Sequence, residues 1–368
     1  MNWFRRIWRN GRGKRALALA GGGVTGGMFE IGCLTALDQA LPDFRANDFD
    51  IYVGTSSGSL VASLVANGVR PEEVAQVVLS GALDPYNLRQ EDILGRKAGR
   101  RMIWNTATVL KTVAKHLVRG RGVSMQDLVG RVQQDLPPGF FTLDQLEQFI
   151  RSMFESKRLS NRFEDLSRRL YITAVDLDRA KRVIFGDGEL AEVPISQAIA
   201  ASSAIPGFFE PYRIGGSDYI DGGVGHVAHA DIAMARGADL VVVINPMVPL
   251  LGNMNHGNGT NGKNGGPQKG LKYVIEQSAR ITSRRLLESG LRQLKSDYPK
   301  ADLLLIEPSE NDPLLFVNST MSFAHSREAI ELGFENTVEL LKTERDRFAK
   351  VLAAHRPVRH LSPVSDGK

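Results

Sequence analysis

Residues 50–67 read DIYVGTSSGSLVASLVAN: an apolar run, a patch of small residues, then apolar residues at a new period. Ile51, Tyr52 and Val53 make a short buried strand, whereas Leu60, Val61, Leu64 and Val65 recur at helical spacing. Between them one register satisfies glycine-x-serine-x-glycine, namely Gly54, Thr55, Ser56, Ser57, Gly58. In a strand-to-helix elbow the serine sits on a tight turn that pushes its hydroxyl out at the end of a sheet, and only glycine-sized neighbours let the backbone close around it. Ser56 is therefore the candidate nucleophile, with Gly54 and Gly58 as the elbow glycines. Taken alone, the same five small residues also fit a plain tight turn.

Outward from this stretch, strand and helix signals alternate. Ala16–Ala20 reads as a strand and Gly27–Leu41 as a helix. Pro71-Glu72-Glu73 opens another helix, with proline at its first position and acids facing the positive end of its dipole. Leu170–Val175, Arg182–Phe185, Leu240–Ile244 and Leu303–Ile306 have the character of buried strands. This rhythm predicts an α/β fold, a three-layer sandwich with a mostly parallel central sheet covered on both faces. Leu271–Leu294 and Ser326–Leu352 read as long amphipathic helices. The domain core is bounded at 15–345, and residues 346–368 are set apart as a C-terminal tail, frayed over its last dozen residues.

Two segments break the rhythm. Residues 85–165 hold no convincing strand but many helical signals, including the capping-box pattern Thr142-Leu143-Asp144-Gln145, and read as a helical cap insertion. Between Arg89 and Arg121 this cap carries nine basic residues (Arg89, Arg96, Lys97, Arg100, Arg101, Lys111, Lys115, Arg119, Arg121) against two acidic ones, Glu91 and Asp92. That is a solvated basic face or a lipid-facing one. The second break, 252–270, reads GNMNHGNGTNGKNGGPQKG and cannot bury enough apolar surface to offset its ordering entropy, so a flexible loop is expected.

The 368 residues carry a formal charge of +5, mildly basic, which favours anionic partners such as lipid head groups or nucleic acid. The leader, residues 1–14, places Trp3, Phe4, Ile7 and Trp8 among Arg5, Arg6, Arg9, Arg12 and Lys14, with Arg15 following. Rings and cations of this kind suit an anionic membrane interface, or else form a basic segment packed on its own protein. No window approaches the ~18 apolar residues of a membrane span, and no signal-peptide pattern is present. A cytoplasmic protein peripheral to a membrane is expected. The basic segment Arg89–Arg121 lacks interleaved aromatics beyond Trp104, so no nucleic-acid partner is expected. The single cysteine, Cys33, excludes an internal disulfide and a multi-cysteine metal site, and reads as core filler.

Gly21-Gly22-Gly23-Val24-Thr25-Gly26 follows the first strand and opens the first helix. Outward-pointing N–H groups at a helix N-terminus bind an anion, either a cofactor phosphate or the oxyanion formed when a nucleophile attacks an ester carbonyl. Gly21, Gly23 and Gly26 fit the dinucleotide spacing G-x-G-x-x-G, but that site needs an acid at the end of the second strand. Here the second strand ends in Gly54-Thr55-Ser56 instead. A reactive serine also needs a base, and none of the seven histidines has a context that demands catalysis. Asp221, in Tyr219-Ile220-Asp221-Gly222-Gly223, is the better partner. An aspartate ending a short strand before two glycines is free to turn toward Ser56 and take its proton directly, although Asp-Gly-Gly also reads as a hairpin turn.

A glycine-rich loop, an early G-x-S-x-G, the small-residue run Ala201–Pro206 with Gly207, Phe208 and Phe209, and a distant Asp-Gly-Gly together resemble the patatin-like phospholipase family over residues 15–245. The resemblance implies a serine–aspartate dyad without histidine: Ser56 as nucleophile, Asp221 as base and then acid, and an oxyanion hole built from Gly21, Gly22 and Gly23. It implies a lipid acyl hydrolase of phospholipase A, lysophospholipase or carboxylesterase type working through an acyl-serine intermediate, independent of calcium, with no metal and no cofactor. Two departures bear on substrate. Thr25 stands where relatives carry a basic residue, and Val224-Gly225-His226-Val227 replaces their asparagine and proline. The other class of function is a catalytically silent lipid-binding or scaffold protein of the same fold.

Overall fold

The computed structural model describes residues 13–42, 44–94, 111, 138–251, 271–309, 314–317 and 321–355. The aromatic leader, most of the basic stretch of the cap and the 252–270 loop lie outside them. Eight strands form one sheet: β1 (Lys14–Leu19), β2 (Ile51–Thr55), β3 (Arg169–Asp176), β4 (Lys181–Phe185), β5 (Tyr212–Ile214), β6 (Ser217–Asp221), β7 (Ala238–Ile244) and β8 (Asp302–Ile306). The order is β5-β6-β3-β2-β1-β7-β8, with β4 also on β3. β3, β2, β1, β7 and β8 run parallel, and β4, β5 and β6 join antiparallel. The described helices are α1 (Gly23–Ala40), α2 (Ser57–Ala66), α3 (Pro71–Ser80), α4 (Gln90–Leu94), α5 (Asp144–Ser156), α6 (Ile195–Ser202), α7 (Ala230–Ala235), α8 (Leu271–Asp297), α9 (Leu314–Val317) and α10 (Ser326–Ala354).

Successive strand residues enter different cores, as the period of two requires. Leu17, Leu19, Tyr52, Ile172 and Val242 face a large core shared with α1, α2, α5, α6 and α10. Ala16, Ala18, Ile51, Val53, Val241 and Val243 face a smaller one shared with α7 and α8. Two buried faces produce three layers, the mixed α/β architecture expected. On the larger face α1 lies directly on α10. A methyl group at Gly32 would fall 2.1 Å from the Ile330 carbonyl oxygen, and one at Gly333 would fall 2.2 Å from that of Phe29. Cys33 fills the same seam, with its thiol donating to Gly333 O at 3.4 Å and its pKa pushed up by burial. Among the described residues no helix is long and apolar enough to cross a membrane.

Several boundaries differ from the sequence reading. Lys14, counted with the basic leader, belongs to β1 together with Arg15. The Arg15 amide donates to Asp50 at 2.9 Å, its guanidinium donates to Asp48 O at 3.0 Å and stacks on Phe49, and the Lys14 ammonium donates to Arg236 O at 3.1 Å. These cations are committed inside the domain. α1 starts at Gly23 rather than Gly27, because the buried glycine turn satisfies its backbone by winding into the helix, with Gly26 N–H on Gly22 O at 3.2 Å. The capping box at Thr142 does not form: α5 is capped at Leu143, without a side-chain bond, and Leu143 is buried. Burial of that leucine fixes where the helix begins. α10 runs on to Ala354 because Phe348 and Leu352 are buried.

One topological feature creates the site. β4 occupies one edge of β3 along Ile172–Asp176. Both β2 and β6 must therefore share the other edge. β2 arrives parallel and ends with Thr55 opposite Thr173; β6 arrives antiparallel and ends with Asp221 opposite Ala174. Two strands thus run into each other end to end on one edge of a third, and the residues where they stop are Thr55, followed by Ser56, and Asp221.

Candidate active site

At the end of β2 the chain turns sharply. Ser56 has φ 52° and ψ −130°, a backbone that costs a non-glycine residue about 1–3 kcal/mol and persists only where its surroundings enforce it. The enforcement is visible. Ser56 N–H donates to Ser202 Oγ at 2.8 Å, and Ser202 Oγ donates onward to Thr173 O at 2.6 Å. Ser59 N–H and its hydroxyl both donate to Ser56 O, at 2.9 and 2.5 Å. A methyl group at Gly54 would lie 2.5 Å from Ser59 Cα, and one at Gly58 would lie 2.6 Å from Leu19 O. The elbow glycines are required by space.

At the end of β6, the Asp221 N–H is held by Ala204 O at 2.9 Å, so the run from α6 to Phe209 supports both ends of the site. Asp221 is 8% exposed and Ser56 7%, which places the pair out of bulk water. Burial pushes the Asp221 carboxyl up to about 6. Two neighbours restrain the rise: the Gly223 N–H, which donates to Oδ1 at 2.7 Å, and the nearby Ser56 side chain. At neutral pH the carboxyl is ionised and carries a pKa close to working pH, which suits a general base.

Gly21, Gly22 and Gly23 all have positive φ (77°, 138° and 68°), which turns the loop under the start of α1. Gly21 differs from the other two. Its N–H donates to Glu30 Oε1 at 2.8 Å, so it is not a free donor for an anion, contrary to its assignment to the oxyanion hole. Gly22 and Gly23 N–H have no protein acceptor among the described residues and sit at the positive end of the α1 dipole. Gly21 instead closes the gap to the elbow, where a methyl group would fall 2.3 Å from Thr55 O.

Ser56 opens into a cavity of about 820 Å³, counting the space continuous with solvent. Gly23, Ser57 and Ser203 lie at its wall with Ser56, and the remainder is nearly all apolar, including Met28, Leu64, Tyr86, Leu146, Phe149 and Met153. α5 and the start of the cap thus form one side of an apolar slot that ends at the serine. Thr25 is buried within α1, so this position puts no cation at the entrance.

A second polar cluster lies behind the aspartate. His229, buried at φ 47°, donates from Nε2 to Gly222 O at 3.0 Å; its Nδ1 accepts from Arg182 at 3.2 Å, and Arg182 grips Asp231 with bonds of 3.0 and 2.7 Å. Burial lowers the His229 pKa to about 4, so the ring is neutral. His226, His229 and Asp231 have ligand atoms within 4.8 Å of one another, the arrangement that could hold a metal ion, but the Arg182 guanidinium already takes the place of the cation. This anchor, with Ser202 and Glu30, is what sequence reasoning missed. The available signals were one charged residue in the otherwise apolar run Met28-Phe29-Glu30-Ile31 and a histidine soon after Asp-Gly-Gly.

Residues 17–234 match the sequence model of the family described as Patatin-like phospholipase. Among solved structures, VipD from Legionella pneumophila is 14% identical, with 90% of this chain and 67% of that chain aligned and a TM-score of 0.37. The type III effector protein ExoU is 14% identical over 89% of this chain and 53% of that chain, at a TM-score of 0.33. The ExoU–SpcU complex from the type III secretion system of Pseudomonas aeruginosa is 15% identical over 94% of this chain and 58% of that chain, at 0.30. The chain therefore spans little more than half of the ExoU chains it resembles. The family match is of a different order: it takes in more than half of this chain, including both strand ends that meet on the edge of β3, and the chain belongs to the patatin-like phospholipase family.

Proposed function

We propose that this protein hydrolyses fatty acyl esters through a Ser56–Asp221 dyad. Family membership supports a lipid acyl hydrolase. The observation that carries the finer reading is the meeting of a strained serine and a buried carboxyl at two colliding strand ends, beside an apolar slot. In this reading Asp221 takes the Ser56 proton as Oγ attacks the acyl carbonyl carbon, and the Gly22 and Gly23 N–H groups receive the oxyanion. Collapse breaks the ester C–O bond, and the proton on Asp221 passes to the departing alcohol. Water, giving its proton to Asp221, then attacks the acyl-serine, and the fatty acid leaves as Ser56 regains a proton.

The slot fits an acyl chain by its apolar lining, and the basic composition of the leader and of residues 89–121 suits an anionic membrane surface as the source of the lipid. The test is hydrolysis of a short p-nitrophenyl acyl ester in chelator, with intact mass after a fluorophosphonate probe. Wild-type protein is expected to turn over and to gain one adduct, both lost in Ser56→Ala. Turnover that survives Ser56→Ala would reject the dyad, and no adduct and no turnover in any protein would favour the silent scaffold.

A further inference from the structure

Glu30 lies on α1, fully buried, and its Oε1 accepts the Gly21 N–H at 2.8 Å. That bond ties the first residue of the glycine loop to the body of the helix that the loop begins. Gly22 and Gly23, the next two residues, carry the free N–H groups. Glu30 Oε2 has no hydrogen-bond partner among the described residues. An ionised carboxylate with one oxygen unpaired at a fully buried position is far more costly than a neutral acid in the same place. We propose that Glu30 is a positioning residue that clamps the oxyanion loop in its neutral, protonated form, so that ionising it weakens the site. This inference rests on the oxyanion role assigned above to Gly22 and Gly23.

The argument is one of charge placement. A neutral carboxyl offers its carbonyl oxygen to Gly21 and so orients the loop. A carboxylate offers the same acceptor but sets a negative charge behind the loop that must stabilise a second negative charge. The surroundings are consistent with the neutral form. The groups restraining the Glu30 acid are the Gly21 and Ala20 amides, and burial outweighs them, raising its pKa to about 8. The titratable group that feels its charge is Cys33, a turn further along α1 and itself buried. Toward α10 the neighbours of Cys33 are Gly333 and Thr337, both neutral. Among the described residues no cation of β1, α2, α3 or α10 is among the groups acting on Glu30.

Two measurements on the full chain test this. In the first, side-chain ¹³C-carboxyl resonances of labelled glutamates are titrated and Glu30 is assigned by its loss in Glu30→Gln. One glutamate is expected to titrate near pH 8, with the Gly22 and Gly23 amide resonances moving in step; titration near the ordinary value of about 4.3 would overturn the proposal. In the second, ester hydrolysis is followed against pH. Glu30→Ala is expected to lose about 10²-fold in kcat with KM little changed, as for loss of an oxyanion donor. Glu30→Gln, neutral and of the same shape, is expected to restore kcat below pH 7 to within about threefold and to abolish the wild-type fall above pH 8. A fall retained by Glu30→Gln, or Glu30→Gln as inactive as Glu30→Ala, would overturn it. If wild-type protein neither turns over nor takes the probe, the hydrolase reading fails and the titration alone decides the clamp.

Discussion

The two strand ends that meet at the site are held by different means. At the end of β2 the constraint is space: the elbow is packed backbone against backbone, with no room for a methyl group at Gly54 or Gly58. At the end of β6 the constraint is a set of separate bonds, from Gly223 N–H to the Asp221 carboxyl, from His229 to Gly222 O, and from Arg182 to His229 and Asp231. A clamp of backbone contacts fails all at once, whereas a bonded network fails by degrees. The nucleophile is thereby fixed in a strained geometry, while the base keeps a tunable setting.

The largest effect expected from this contrast is at the elbow. Gly58→Ala sets a methyl group 2.6 Å from Leu19 O and 2.9 Å from Gly21 N, both backbone atoms that no side-chain motion can move away. A destabilisation of about 3 kcal/mol or more is expected, with loss of probe labelling at Ser56. Thermal unfolding together with the probe assay measures both. A folded and fully reactive Gly58→Ala would mean that the elbow is looser than its packing indicates.

Next in size is the base itself. Asp221→Asn keeps an oxygen for the Gly223 N–H but cannot take a proton, and kcat is expected to fall by about 10²–10⁴-fold. Stability should move the other way. The Asp221 acid is raised from 3.8 to about 6 on folding, so the native state holds its proton more tightly, and ionising it above pH 6 costs about 3 kcal/mol. Asp221→Asn removes that cost and should raise the midpoint of denaturant unfolding at pH 7. A variant both inactive and less stable would indicate that the carboxylate is structural.

The same contrast explains what could be read in advance. The elbow was legible because its constraint is local: glycine, serine and glycine within five residues leave few other backbones. The alternating strands were legible because two buried faces demand continuous apolar runs such as Leu240–Ile244. Asp221 stood out in the sequence as a candidate, but its meeting with Ser56 rested on family resemblance, since their proximity depends on β6 following β2 along the edge of β3, a register that no single segment encodes. Gly21 was misassigned for a related reason. Which of three adjacent glycines has a free N–H is decided by Glu30, a residue of the following helix whose burial gives no sign in the loop itself.

The smallest effect expected is at the anchor of the aspartate loop, and its sign is the sharpest check on the comparison. His229→Ala leaves Gly222 O and the Arg182 guanidinium each one bond short, for a loss of about 1–3 kcal/mol and a fall in kcat of up to about tenfold. Because His229 is lowered to about 4 by burial, its unfolded form binds the extra proton between pH 4 and 6.5, and its contribution to stability grows as pH rises through that window. Asp221, raised to about 6, makes a contribution that shrinks with rising pH between 4 and 6. Stability relative to wild type should therefore fall with pH for His229→Ala and rise with pH for Asp221→Asn. Opposite slopes would show that the base and its anchor titrate against each other, so that the loop keeps its shape while the carboxyl changes charge. Parallel slopes would mean that the ring is not held neutral against Gly222, and the aspartate loop would then owe its position to the backbone, as the elbow does.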